Sequence, residues 1–152
     1  MRSIGIRAAP TAVTFVVYDS TANEVVNVED IRLPIAFAVP DRLKYLRNNL
    51  LDILREYEIE RAGVRVMEPT AQQPNFERIQ IEGVVQEAFA SCPYLKEYYV
   101  GQIASISARI GVPRDNFKPL VEGEREWNVE GWKKMKKEQR EALLCAIGAC
   151  RA

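Results

Sequence analysis

Strand-like and turn-like segments alternate over the first part of the chain. Residues 3–18 are rich in Ile, Val, Thr and Phe, and a turn around Pro10 divides them into two runs. Residues 19–23 are small or polar, and residues 24–31 form a third strand-like run. Because short turns connect neighbouring antiparallel strands, the pattern predicts a three-stranded meander.

The spacing of apolar residues changes after Pro40. Over residues 41–59 they recur every three or four positions, at Leu43, Leu46, Leu50, Ile53, Leu54 and Tyr57. This spacing predicts an amphipathic helix that Asp41 caps at its N-terminus. Residues 62–67 then predict a strand, and the order strand, helix, strand implies a crossover and a parallel pair.

The remaining segments complete an α/β pattern. Residues 76–89 predict a helix whose apolar side carries Phe76, Ile79, Val84, Ala88 and Phe89. We expect a strand at 98–104, a short helix at 105–110, a loop at 113–126 and a terminal helix at 128–150. The main elements follow the order β-β-β-α-β-α-β-α, which predicts one α/β domain over residues 1–152, with a mixed five-stranded sheet flanked by helices.

Charge and composition narrow the candidate chemistry. Lys and Arg together number 21, as do Asp and Glu, so the formal net charge is zero. Nucleic-acid binding would therefore need a local basic patch rather than an overall basic chain. The chain contains no histidine, which excludes Ser-His-Asp and Cys-His machinery and His-ligated zinc. Catalysis would have to use carboxylates, lysine, tyrosine, cysteine or a bound metal.

Cysteine usage and hydropathy indicate the compartment. Cys92, Cys145 and Cys150 are sparse and unclustered, which is typical of reduced thiols in a cytoplasmic protein. No apolar run approaches the ~18 residues of a membrane span. Charges at Arg2 and Arg7 come too early for the apolar core of a signal peptide. We expect a cytoplasmic protein with no membrane partner.

Four short sequence motifs follow one another along the chain. Residues 3–9 read SIGIRAA, residues 64–68 read VRVME, residues 78–84 read RIQIEGV and residues 138–147 read EQREALLCAI. Together these segments resemble the RuvC-like branch of the ribonuclease H-like fold, the Holliday junction resolvases. That family begins with a strand of the form I-x-G-I-D-P-G and ends with a helix that carries a D-x-x-D pair. The resemblance covers nearly the whole chain.

The resemblance implies a site made of carboxylates. Two-metal phosphodiester hydrolysis needs carboxylates around two divalent cations ~3.5–4 Å apart, and Mg²⁺ or Mn²⁺ would be the ions. By this resemblance Glu68, Glu138 and Glu141 are the catalytic and metal-ligating residues. Glu138 and Glu141 are three apart and share a helix face. Glu68 follows a predicted strand, where open α/β sheets place their sites.

Arg7 departs from the family pattern. It stands where the family has its first catalytic aspartate, and a guanidinium is permanently cationic and cannot ligate a metal. It would instead pair with Glu68, Glu138 or Glu141 and repel Mg²⁺. Asp19 lies beyond the second predicted strand, too far along to replace the missing acid. The alternatives are that Glu68 pairs with Arg7 or Arg65, or that a register shift turns Arg7 outward.

A basic segment precedes the last predicted helix. Its lysines are Lys133, Lys134, Lys136 and Lys137, and Trp127 and Trp132 lie beside them. This combination is typical of a surface that grips phosphates and stacks bases. The alternative is a solvated helix start with the tryptophans packed in the core, and four nearby glutamates weaken the positive field.

Three functions remain open at this stage. The first is a RuvC-like domain with lost or reduced nuclease activity that binds structured DNA or RNA or a protein partner. The second is an active Mg²⁺- or Mn²⁺-dependent endonuclease acting on branched nucleic acid. The third is a structural subunit that forms a homodimer through an apolar face including Trp127 or Trp132. The residue at position 7 separates the first two.

Overall fold

The computed structural model describes residues 1–151. Within this range five strands form a single mixed sheet, whose bounds are β1 Arg2–Ala8, β2 Ala12–Asp19, β3 Glu24–Arg32, β4 Arg61–Arg65 and β5 Glu97–Gly101. Their order across the sheet is β3-β2-β1-β4-β5. The first three strands are antiparallel neighbours, whereas β4 runs parallel to β1 and β5 runs parallel to β4. The predicted meander and parallel crossover are confirmed.

Helices cover both faces of this sheet. Their bounds are α1 Val39–Glu56, α2 Phe76–Ser91, α3 Ile103–Ile110, α4 Phe117–Glu122 and α5 Lys137–Cys150. The apolar residues of α1 and α2 share one core with Ile4 and Ile6 of β1. Those of α3, α4 and α5 share a second core on the opposite face. Because side chains alternate along a strand, Ser3, Gly5 and Arg7 face α5.

Gly5 lets α5 lie directly on the central strand. A Cβ at this position would come within 1.8 Å of the Ala142 carbonyl oxygen and 2.5 Å of the Ala146 nitrogen. Ser3, on the same face, donates a 2.7 Å hydrogen bond to the Ala146 carbonyl. The close approach fixes the first turns of α5 beside the carboxyl end of β1, where Arg7 lies.

The first helix differs from its prediction at both ends. It begins at Val39, and Asp41 lies in its first turn instead of capping it, because Pro40 occupies the start of the helix. It ends at Glu56 instead of residue 59. Glu58 has a φ of 53°, and this left-handed backbone conformation cannot continue a right-handed helix.

Two predictions in the last third of the chain are wrong. The predicted loop at 113–126 contains a 3₁₀ turn, Arg114–Asn116, followed by α4, which buries Phe117. The terminal helix begins at Lys137 and not at residue 128, because Gly131 has a φ of 85° and a separate 3₁₀ turn follows it. Apolar spacing continues through this segment, but the chain changes direction within it.

Two further boundaries and one helix face also differ. The strand predicted at 98–104 is β5, and α3 starts at Ile103 because Gln102 and Ser105 exchange capping hydrogen bonds. Phe76 and Ile79, predicted on the apolar side of α2, are 77% and 45% exposed. The buried face of α2 carries Ile81, Glu82, Val85, Ala88 and Phe89.

Among residues 1–151, each helix is too short or too polar to cross a bilayer.

Candidate functional site

Two arginines lie side by side at the carboxyl ends of the parallel strands. Arg7 of β1 is the register partner of Arg65 of β4. Since partners in register point to the same face, both reach the first turns of α5. Arg7 therefore faces the interior of the site, and the alternative that a register shift turns it outward is wrong.

Glu141 of α5 lies between these two guanidinium groups. Its Oε1 is 2.7 Å from the Arg65 Nε, and its Oε2 is 3.7 Å from the Arg7 Nε. The side chains of Arg65 and Glu141 are 9% and 11% exposed. Solvent screens this ion pair poorly, so the attraction is stronger than that of a surface pair.

Glu68 contacts the start of α3 as well as Arg65. Its Oε1 accepts a 3.2 Å hydrogen bond from the backbone nitrogen of Ile103, the first residue of α3. Its Oε2 lies 4.0 Å from Arg65 Nη1. Gln102 donates to the Met67 carbonyl at 3.0 Å. Glu68 therefore joins the segment after β4 to the start of α3, and Arg65 is the arginine beside it.

Glu138 lies one turn from Glu141 on α5 but is exposed to solvent. It borders the same cleft as Glu141. Within the described residues, no three Cys, Asp or Glu side chains lie close enough together to hold a metal ion. Because Glu141 faces two cations and Glu68 is bound to backbone and Arg65, the residues present do not fit a two-metal Mg²⁺ or Mn²⁺ centre.

A second buried ion pair, which sequence reasoning missed, lies next to the first. Arg78 Nε donates to Glu82 Oε2 at 2.8 Å, and the Met67 backbone nitrogen donates to the same oxygen at 3.1 Å. Burial lowers the pKa of Arg78, and the positive charges of Arg7 and Arg65 lower it further. The signal in the sequence was Glu82, an acid among the apolar residues of a helix.

The cleft between β1, β4, α4 and α5 has a volume of about 330 Å³. We call it the strand-end cleft. Arg7, Arg65 and Glu141 line it, together with the buried ring of Phe117 and the exposed side chain of Lys118. The lining holds four cations and three carboxylates, so it carries an excess of one positive charge beside an apolar wall at the end of the parallel strands.

The predicted lysine surface is only partly available. Lys133 pairs with Glu126 at 3.0 Å, and Lys137, which also lines the strand-end cleft, pairs with Glu122 at 2.8 Å. Lys134 and Lys136 are exposed.

The two tryptophans pack within the molecule. Trp132 is 2% exposed and its Nε1 donates to the Arg125 carbonyl. Trp127 is half-buried, with the Arg151 guanidinium 5.3 Å from its ring centroid. Of the two alternatives for Trp132, packing in the core is confirmed, and its ring is not available for base stacking or dimerisation.

Solved structures share this fold at low sequence identity. No family model and no curated protein matches the sequence. A structure of Thermus thermophilus RuvC in complex with a Holliday junction substrate aligns with a TM-score of 0.69 and 14% identity, covering 97% of this chain and 92% of that one. The yeast mitochondrial Holliday junction resolvase Ydc2 aligns with a TM-score of 0.58 and 13% identity, covering 99% and 78%. These matches establish a RuvC-like, ribonuclease H-like fold.

Proposed function

We propose that this chain, a domain with the fold of the Holliday junction resolvase RuvC, binds structured nucleic acid and has lost two-metal hydrolysis. Its fold matches that of a RuvC solved in complex with a Holliday junction substrate. Arg7, Arg65, Lys118 and Lys137 line the strand-end cleft opposite three carboxylates, those of Glu122, Glu138 and Glu141. This excess of one positive charge supports contact with a phosphate, although the chain as a whole is neutral.

The position of Glu141 between Arg7 and Arg65 carries the proposal. A divalent cation would have to displace a guanidinium that lies 2.7 Å from the carboxylate. It would also stand near a second fixed cation. At ~4 Å and an effective dielectric constant of ~20, each pair of unit charges repels by about 4 kcal/mol. This repulsion opposes binding of Mg²⁺ or Mn²⁺ at Glu141.

The test combines metal binding, junction binding and cleavage on the same samples. Mn²⁺ is titrated calorimetrically into the wild type, into Arg7→Asp, which supplies the missing acid, and into Arg7→Asn, which removes the cation without adding an acid. Fluorescence anisotropy measures binding of the protein to a labelled four-way DNA junction and to a labelled linear duplex of equal length. We expect the wild type to prefer the junction, to bind no Mn²⁺ and to cut nothing, and only Arg7→Asp to gain Mn²⁺ binding.

Two results would overturn the proposal. Cleavage of the junction by the wild type with Mn²⁺ would make the chain an active endonuclease, with Glu68, Glu138 and Glu141 as the acids to test. No binding to DNA or RNA junctions, combined with a dimeric mass in solution, would instead favour the structural homodimer.

A further inference from the structure

Three buried arginine nitrogens of the site lack a hydrogen-bond partner of good geometry among residues 1–151: Nε of Arg7, Nε of Arg65 and Nη2 of Arg78. Arg65 Nε nevertheless lies 2.7 Å from Glu141 Oε1 and forms an ion pair with that carboxylate. The nearest carboxylate oxygen to Arg7 Nε, on Glu141, is 3.7 Å away, which is beyond hydrogen-bonding distance. Buried donors in folded proteins are nearly always paired, so the unpaired Nε of Arg7 and Nη2 of Arg78 call for an acceptor.

Another buried arginine in this protein shows what a purely structural role looks like. Arg140 donates through Nε to the Trp132 carbonyl, through Nη1 to the Val121 carbonyl and through Nη2 to the Lys133 carbonyl, at 2.9–3.1 Å. All three of its nitrogens have a protein acceptor. Arg7 and Arg78 differ from Arg140 in this respect, although all three guanidinium groups are largely shielded from solvent.

Carboxylates and backbone carbonyls accept only some of the donors in this site; the Ala8 carbonyl accepts from Arg7 Nη1 and the Val66 carbonyl accepts from Arg65 Nη1. Arg7, Arg65 and Arg78, which we call the arginine cluster, come from β1, β4 and α2, and each carries about five N–H donors. The facing acids are Glu141, which lies between the first two, Glu82, which accepts from Arg78 and Met67, and Glu68, 4.0 Å from Arg65.

A phosphate group has the chemistry that the cluster lacks. It is anionic, it presents oxygens that accept hydrogen bonds in pairs, and guanidinium groups bind it bidentately. The strand-end cleft, with a volume of about 330 Å³, is large enough to admit it from solvent to Arg7 and Arg65, which line the cleft, whereas Arg78 lies outside the lining. Lys118 on the cleft wall would favour the approach of an anion, whereas Lys137 is paired with Glu122.

We infer that the arginine cluster forms a phosphate-binding site that takes a backbone phosphodiester of the bound nucleic acid. This inference rests on the proposed function, because it names the group of the nucleic acid that this site contacts. The orphaned donors of Arg7 and Arg78 bind the phosphate oxygens. Arg65 stays with Glu141 and positions both neighbours.

The experiment uses two ligands, inorganic phosphate and the four-way junction. Phosphate binding is followed through the Nε–Hε resonances of the arginines in the wild type, Arg7→Gln, Arg78→Gln and Arg78→Lys. Arg55→Gln is the control, since Arg55 is exposed on α1 and pairs with Asp52. Arg78→Lys keeps a positive charge beside Glu82, so the fold is less disturbed than in Arg78→Gln. It lacks the planar guanidinium group that binds a phosphate through two hydrogen bonds. Circular dichroism checks the fold of each variant.

We expect Arg7→Gln and Arg78→Gln each to weaken phosphate and junction binding about tenfold, and to reduce the salt dependence of junction binding by about one phosphate contact. Arg78→Lys should be intermediate and Arg55→Gln unchanged. If the junction binds but these variants bind it as the wild type does, the phosphate site is overturned while the proposed function stands. If phosphate perturbs the cluster but no junction binds, the site belongs to a free phosphate and the proposed function fails.

Discussion

Arg65 and Glu141 form an ion pair that joins the end of a parallel strand to the last helix, with 2.7 Å between Nε and Oε1. The same carboxylate faces Arg7 through its other oxygen. The pair therefore holds α5 against the sheet and, under the proposed function, occupies the carboxylate that a metal ion would need.

Removing the acid of this pair should destabilise the fold. In Glu141→Gln, two shielded guanidinium groups lose their shared counter-charge, and breaking a buried pair from one side costs about 3 kcal/mol or more. Urea denaturation measures the free energy of unfolding. Glu138→Gln, on the exposed side of the same helix, should change it by less than about 0.5 kcal/mol. Equal losses in the two variants would contradict the structural role of the pair.

Two glycine-to-alanine changes should act in opposite directions. In Gly5→Ala, the new methyl group meets the backbone of α5 at 1.8 Å, so the helix must move and we expect a loss of at least about 3 kcal/mol. In Gly83→Ala, no atom of the described residues packed against α2 lies within 4 Å of the new Cβ. Helix propensity should then stabilise the protein by about 0.5–1 kcal/mol. Thermal and urea unfolding of both variants measures the two changes in stability. A Gly5→Ala protein as stable as the wild type would contradict the close approach of α5 to β1.

We expect the hydrogen bonds of Arg140 to stabilise the irregular segment between α4 and α5. Arg140→Met leaves the carbonyls of Val121, Trp132 and Lys133 without their donor, which should cost about 2–3 kcal/mol. Hydrogen exchange should rise first in residues 121–135. Arg55→Met, at an exposed position, is the control, and unchanged exchange in residues 121–135 of the Arg140 variant would refute this role.

Stability should fall in alkaline solution. Burial raises the pKa of Cys145 from its ordinary value of 9.0 to about 12. Between these values the folded protein keeps a proton that the unfolded chain releases, so the free energy of unfolding falls as pH rises. The slope for one proton is about 1.4 kcal/mol per pH unit. Burial raises the pKa values of Tyr99 and Tyr18 as well and adds to the effect above pH 10.

Urea unfolding at pH steps from 8 to 11, in the wild type and in Cys145→Ala, measures the contribution of the thiol. The alanine variant should lose less stability over this window than the wild type. Identical slopes would show that the Cys145 thiol does not contribute.

The elements with regular patterns were predictable. Ile4 and Ile6 alternate with Ser3 and Gly5 along β1, and Leu46, Leu50 and Leu54 recur at helical spacing in α1. These signals are local, because each arises from the repeat of a single strand or helix. Helix α4 and the late start of α5 were missed, since the left-handed turns at Gly123 and Gly131 redirect the chain without interrupting the apolar spacing.

The candidate site was predictable only in part. The sequence motifs brought Arg7, Glu68 and Glu141 under consideration, and the structure brings Arg7 and Glu141 together. The sequence did not reveal Arg65 as the main partner of Glu141, nor the pair of Arg78 with Glu82. These residues lie on different elements or on the buried side of α2, and their contacts depend on strand register and helix packing.

Local periodicity and residue chemistry were thus sufficient for the order of strands and helices and for the presence of a permanent cation at Arg7. Both follow from neighbouring residues and from the chemistry of the guanidinium group, whatever the rest of the chain does. Only the tertiary structure decided which charges meet and which donors remain unpaired. Electrostatic and hydrogen-bond energies depend on distances of a few ångströms between side chains that the sequence keeps far apart.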